Sequence, residues 1–218
     1  MLLDPYFSAS KLRWLNDNFK EEIVNKNILF GTIDTFLLWK LTKGDVYATD
    51  VSNAARTSLL NISTLDWDQD LIKLFELEKI NLPEIKKNAD DFGSTTLFGG
   101  DIKISGMAGD QQAALFGQTC FEAGDIKSTY GTGCFLILNT GNQILRSQNK
   151  LLTTIGYKID QEVVYALEGS IFIAGALIQW LRDKMKFFIS APESEGLAKI
   201  ANENSELIIV PSFTGLGA

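Results

Sequence analysis

An aspartate set between glycine and two glutamines, Gly109-Asp110-Gln111-Gln112, is the segment of this 218-residue sequence best suited to chemistry. The chain has no histidine. That removes Ser-His-Asp and Cys-His catalysis and ordinary histidine metal sites, and leaves carboxylates as the proton acceptors. Asp110 falls where a predicted strand gives way to a helix, the end of a strand that faces the ligand cleft in an α/β layout. Two readings are open. Asp110 is a general base or orienter for a hydroxyl nucleophile, with Gln111 hydrogen-bonding the same substrate, or it is the N-cap of the following helix. Spacing alone favours the cap.

Two further segments have types suited to a phosphate or a nucleotide. Ser128-Thr-Tyr-Gly131-Thr132-Gly133-Cys134 is a glycine-rich turn between strands whose amides could converge on phosphate oxygens, although such turns are common in plain hairpins. Gly175 lies inside a predicted helix, where glycine costs about 1 kcal/mol relative to alanine. Gln179 follows four residues later on the same face, so the pair would admit a flat base; close helix packing explains the glycine equally well. Tyr6, Asp34, Asp50, Asn53 and Arg56 complete the set, with Asp50 to Arg56 read as a structural network of hydrogen bonds and ion pairs.

These residues need an α/β framework. Helices are predicted over 11–24, from Asp34 as N-cap to a stop at Lys43-Gly44, around Trp67 over 65–77, after Asp110, and over 170–185. Strands are predicted over 57–62, 103–110, as a hairpin over 124–141, near 152–159 and 163–167, and from Ile208, while 28–33 reads as a short buried strand or a tight entry to the next helix. Residues 47–56 read as polar turn and 82–100 as connector. A boundary near 118–124 divides the chain into a first domain, 1–118, and the beginning of a second, 119–218.

Composition narrows the partners. A net charge of −7 without a basic stripe argues against nucleic acid. No apolar run reaches the roughly 20 residues of a membrane span, and the first residues lack the pattern of a secretion signal, so a cytoplasmic location is expected. Cys120 and Cys134 read as buried thiols.

Ordered blocks then carry a family resemblance. Tyr6-Phe-Ser-Ala-Ser-Lys11-Leu-Arg-Trp14, Phe30-Gly-Thr-Ile-Asp34-Thr, Thr49-Asp-Val-Ser-Asn-Ala-Ala-Arg56-Thr and Leu65-Asp-Trp67-Asp are followed by Gly109-Asp-Gln-Gln-Ala-Ala-Leu-Phe-Gly. Thr129-Tyr-Gly-Thr-Gly-Cys-Phe, Leu151-Leu-Thr-Thr-Ile, Tyr165-Ala-Leu-Glu-Gly-Ser and Gln179-Trp-Leu-Arg-Asp come after them. In this order the chain resembles the FGGY family of carbohydrate kinases, and the block around Asp110 resembles its glycerol kinase branch. The resemblance implies the actin-like ATPase (ribonuclease H-like) fold, two domains closing over a cleft, here as a partial copy. It implies glycerol and ATP as substrates, Mg2+ with the nucleotide, no metal ligand from this chain, and a homo-oligomer at full length. It gives Asp110 the part of catalytic base, Tyr6 and Gln111 those of glycerol ligands, Thr132 a nucleotide-phosphate contact, and Gly175 and Gln179 places in the nucleotide site.

The sequence departs from the family pattern in places. The family's phosphate loop with its metal-associated aspartate, the upstream Arg-Glu pair and Trp, and later nucleotide glycines are not found here. The chain is therefore expected to be cut at both ends and to be inactive alone, which ATP-dependent glycerol phosphorylation by these 218 residues would overturn. Asp101 stands where regulated bacterial members carry an arginine for fructose 1,6-bisphosphate, so that feedback is not expected. The rivals are another FGGY sugar kinase and a non-catalytic actin-like nucleotide-binding module.

Overall fold

The computed structural model of the protein describes residues 6–210 and 212–213. The first helix, α1 (Ser8–Asn25), begins three residues before the predicted one and bends at Phe19, whose φ is −135°. It buries Ala9, Leu12, Asn16 and Ile23, one face at helical spacing. Ala9 and Leu12 pack on Leu59, Ile72 and Leu77. The strand alternative for 28–33 is not formed: Leu29 makes one bridge to Asn81, and Ile28 and Leu29 are exposed. In α2 (Ile33–Leu41) the N-cap is Thr32 rather than Asp34. Asp34 lies in the first turn, where its charge suits the helix dipole. Lys43 and Gly44, with φ of 56° and 95°, end the helix where predicted.

The polar stretch over 47–56 is a correction to the sequence reading. It forms a buried strand, β1 (Ala48–Asp50), a short helix, α3 (Val51–Ala54), and a 3-10 turn, Ala55–Thr57. Then come β2 (Leu60–Asn61), β3 (Asp66–Trp67), α4 (Gln69–Leu74), β4 (Glu84–Lys86), β5 (Ser94–Thr95) and β6 (Ile102–Lys103). The helix predicted over 65–77 is thus shorter, and the supposed connector over 82–100 supplies β4, which pairs parallel with β1. Polar residues are buried in β1 because they satisfy one another. The Asp50 side chain, 0% exposed, accepts from Ser52 N at 2.7 Å, Ser52 Oγ at 2.5 Å, Asn53 Nδ2 at 2.6 Å and Asn88 Nδ2 at 2.7 Å.

That network makes stability depend on pH. Burial pushes the Asp50 carboxyl from its usual 3.8 up to about 6, against the hydrogen bonds from Ser52 and Asn53 and with the Asp34 charge adding to the rise. A raised folded pKa means that the folded state holds the proton more tightly. Its stabilising contribution is complete below the ordinary carboxylate value and is lost as pH rises through about 6. Asp50→Asn removes this titration and sets an amide donor against other donors, at a cost of about 1–3 kcal/mol. The melting-temperature gap between the two proteins is expected to be wider at pH 5 than at pH 7.5. Equal gaps would refute the linkage.

The second half is built on one sheet. The helix α5 (Asp110–Gly117) follows a loop over 104–109, not the strand predicted there, because pairing ends at Lys103 apart from a single bridge between Ala89 and Gly106. Four antiparallel strands follow: β7 (Ile126–Tyr130), β8 (Cys134–Gly141), β9 (Leu152–Ile159) and β10 (Glu162–Ile171), in the order β7-β8-β10-β9. α5 lies on this sheet, with Leu115 packed among Cys120, Ile137 and Ala166 and Gln112 Nε2 donating to Ile155 O at 3.3 Å. The helix predicted over 170–185 starts later, as α6 (Gly175–Asp183), because β10 runs on through Ile171. A last helix, α7 (Glu193–Ile200), was not predicted. Residues 208–210 form no strand, and the glycine turn expected after them falls among residues 214–218, outside the described set.

Candidate active site

Asp110 is the first residue of α5, and Gly109 is the N-cap, so the cap reading of Asp110 is corrected. Ser52 Oγ, held by Asp50, accepts from Gly109 N at 2.9 Å. The β1 network thereby fixes the point at which α5 starts. A Cβ at Gly109 would stand 2.6 Å from Gln112 Oε1 and 3.6 Å from Asn53 Oδ1, so a side chain there would have to turn the Gln112 carboxamide aside. Asp110 itself is exposed. Its Oδ1 accepts from Gln111 N at 2.8 Å, while Oδ2 has no hydrogen-bond partner among the described residues. One carboxylate oxygen is anchored and the other is open, the condition a general base needs.

Beside Asp110 the sheet carries a row of three side chains on one face. Register pairs Lys127 of β7 with Ile137 of β8, and Ile137 with Glu168 of β10. All three are buried: Lys127 and Ile137 are 0% exposed and Glu168 is 4%. Lys127 Nζ donates to Gln111 Oε1 at 2.5 Å. Burial lowers the Lys127 pKa, and the charges of Asp110 and Glu168 oppose that shift. Glu168 accepts two bonds from Arg56, Nη1 to Oε2 at 2.6 Å and Nη2 to Oε1 at 3.0 Å. The Arg56 guanidinium in turn lies 5.3 Å from the Tyr6 ring centre and 5.1 Å from that of Phe7. Contacts therefore run from Tyr6 through Arg56 to Glu168, and separately from Lys127 through Gln111 to Asp110, with Ile137 standing between Glu168 and Lys127 in the row. Arg56 does not join the Asp50 network as the sequence reading had it; it reaches across to the second half of the chain.

The sequence reading missed Lys127 and Glu168. Ile126 is 55% exposed while its neighbour Lys127 is buried, an inversion of the usual strand pattern that only the folded structure reveals. Glu168 falls between the strand predicted near 163–167 and the helix predicted over 170–185, which hid its place in β10.

Thr132, Gly175 and Gln179 come together at the other end of the sheet. The row Tyr130–Cys134–Ile171 lies three residues beyond the lysine row, roughly 10 Å at about 3.3 Å per residue. Thr132 O accepts from Ala174 N at 2.8 Å and Ala176 N at 3.2 Å, and Gly131 O accepts from Gly175 N at 2.9 Å. The first amides of α6 are thus filled by turn carbonyls. What this corner offers a ligand is the exposed Thr132 and, one helical turn along α6, the exposed Gln179. Gly175 is not inside a helix but at its first position, and a Cβ there would stand 2.6 Å from Gly131 O. Gly175→Ala is expected to force α6 off the turn at a cost of about 1–3 kcal/mol, read as a lower melting temperature. A variant that melts with the wild type would show that the turn and helix separate readily.

Several cavities border this arrangement: one of about 350 Å³ is lined by Ser128, Tyr130, Cys134, Glu168 and Ile171, and one of about 410 Å³ by Ala108, Gln112 and Ala113. One of about 380 Å³ follows α2 between Phe30, Phe36 and Trp39, far in the chain from Asp110. Another of about 570 Å³ opens beside Arg56 and Phe7. Among the described residues no group of three or more Cys, Asp and Glu side chains could hold a metal ion, and no helix is long and apolar enough to cross a membrane.

Comparison with known proteins places the chain. The model for the FGGY family of carbohydrate kinases, N-terminal domain, matches residues 1–117, and that for the C-terminal domain matches residues 126–218. The chain belongs to the FGGY family of carbohydrate kinases. It is 55% identical over 224 aligned positions to the glycerol kinase of Streptococcus agalactiae, covering 100% of this chain and 45% of that protein. The chain thus spans under half the length of the curated relatives it matches. Among solved structures it is similar to Plasmodium falciparum glycerol kinase with ADP, at 40% identity and a TM-score of 0.83 over 91% of this chain and 41% of that one. The xylulose kinase of Lactobacillus acidophilus, at 22% identity and a TM-score of 0.75 over 90% of this chain and 40% of that one, shares the fold alone. An FGGY kinase fold, the actin-like ATPase architecture, accounts for the mixed α/β arrangement and for helix α5 lying against the β7–β10 sheet.

Proposed function

We propose that this chain supplies the catalytic base and part of both substrate sites of a glycerol kinase, which transfers the γ-phosphoryl group of ATP to a terminal hydroxyl of glycerol. The observation that carries this reading is the exposed Asp110 carboxylate, with Oδ1 anchored and Oδ2 open beside Gln111. The 55% identity to a glycerol kinase supports the choice of substrate. In the reaction the glycerol hydroxyl gives its proton to Asp110 Oδ2 as its oxygen forms a bond to the γ-phosphorus. The bond from that phosphorus to the bridging oxygen breaks, and ADP leaves with the electron pair. Such transfer depends mostly on positioning and electrostatics, so one carboxylate suffices without histidine.

Gln111 and Tyr6 bind the remaining hydroxyls of glycerol. Thr132 contacts the nucleotide phosphates, and Gly175 with Gln179 borders the rest of the nucleotide. The exposed side chains of Thr132 and Gln179 fit that task. Mg2+ arrives with ATP, where it neutralises phosphate charge, and is given no ligand from this chain. Residues 1–118 belong to the glycerol-binding domain and 119–218 to the nucleotide-binding domain, in a cytoplasmic enzyme that forms homo-oligomers at full length. A parallel assay of the full-length protein with glycerol, xylulose and gluconate tests the assignment: glycerol is expected to be phosphorylated with the highest kcat/KM. Preference for either sugar substrate would replace it with another FGGY kinase activity, and no turnover of any of them would favour a nucleotide-binding module.

A further inference from the structure

A fully buried lysine beside a substrate-binding amide has a role that the reaction itself does not name. We propose that Lys127 is a positioning residue: it holds the Gln111 carboxamide with Oε1 turned into the protein, so that Gln111 presents its Nε2–H, a donor, to the substrate. The proposal rests on the reading of Gln111 as a substrate ligand.

The argument is one of hydrogen-bond sense. A lysine ammonium can only donate, so the atom of Gln111 that meets Nζ at 2.5 Å must be the amide oxygen. The amide nitrogen then points the other way. Lys127 has little freedom to do anything else, since it is 0% exposed on the inner face of β7 and its backbone is paired with Ile137. A buried ammonium needs acceptors. Glu168 would be the natural one, but both its oxygens are engaged by Arg56. Among the described residues Lys127 forms no ion pair, and Gln111 Oε1 is its hydrogen-bond acceptor.

The consequence is a doublet of opposite sense on successive residues. Asp110 Oδ2 accepts and Gln111 Nε2 donates. A hydroxyl group gives a proton to the first and offers a lone pair to the second, so the doublet selects substrates with a hydroxyl, or two adjacent hydroxyls, and disfavours groups that only donate or only accept.

The test is a double-mutant cycle in the full-length enzyme with Lys127→Met, Gln111→Ala and the double variant, reading KM for glycerol, KM for ATP and kcat. Lys127→Met is expected to raise KM for glycerol about tenfold, the scale of one lost hydrogen bond. It should leave KM for ATP within about twofold and add nothing once Gln111 is alanine. Additive effects, an unchanged KM for glycerol, or equal rises in both KM values would overturn the proposal. If Gln111→Ala itself leaves KM for glycerol unchanged, the reading of Gln111 as a ligand falls, and the role of Lys127 falls with it. Should Lys127→Met fail to fold, Gln111→Glu decides the matter, because it keeps Lys127 partnered while replacing the donor by an acceptor. Glycerol binding by that variant equal to the wild type would overturn the donor role.

Discussion

Replacing Asp110 by Asn is expected to lower kcat of the full-length enzyme by about 100- to 10,000-fold, the usual contribution of a positioned general base. KM for ATP should stay near the wild-type value. The substitution preserves shape, and an asparagine Oδ1 can still accept from Gln111 N, so the start of α5 is kept. What is lost is the open second oxygen, which in Asn becomes an amide nitrogen that cannot take a proton from glycerol. Gly109 and the Asp50–Ser52 support behind it are untouched, since Ser52 Oγ holds the Gly109 amide and not Asp110. Initial rates with saturating glycerol and ATP measure the effect. A variant within about threefold of wild type would remove Asp110 from the role of base, whereas loss of turnover with intact ATP binding separates an enzyme from a nucleotide-binding scaffold.

The parts of this site that were legible in the sequence are those encoded locally. The hairpin over 124–141 showed as alternating strands around glycines, and its β7–β8 pairing from Ile126↔Leu138 to Tyr130↔Cys134 follows that pattern. The helix after Asp110 also formed where predicted, and ordered motifs led to the FGGY family. The parts that were hidden are set by tertiary contacts. Residues 47–56 look like a polar turn because the sequence does not show that Asn88, far along the chain, closes on Asp50 and Ser52 and completes a network otherwise made locally by Ser52 and Asn53. Gly175 looks like a defect inside a helix because nothing local reveals that β10 extends to Ile171 or that Gly131 O needs the space. Lys127 was hidden for the same reason: its acceptor lies on another element, and nothing in the local sequence shows that Lys127 rather than Ile126 is the buried member of the pair.

The largest effect on stability is expected at Arg56. Arg56→Met should destabilise the protein by about 3–5 kcal/mol, the scale for breaking a buried ion pair from one side. Glu168 is 4% exposed and draws both its hydrogen bonds from this guanidinium, so the variant leaves a carboxylate without water or partner. Lys127, across Ile137 in the same row, is held by Gln111 and forms no ion pair that could stand in. Glu168→Leu should cost less than Arg56→Met, because the Arg56 side chain keeps 18% exposure and can regain water. The double variant Arg56→Met, Glu168→Leu should recover much of the loss, since burying two matched apolar groups carries no desolvation penalty. Urea denaturation of the four proteins gives the coupling directly. Summed single effects that equal the double would mean that the pair is not a pair energetically, and that Arg56 and Glu168 are merely near each other. Strong coupling would instead make Arg56 the strut by which the aromatic residues at the start of α1 are tied to the sheet that carries Gln111's support.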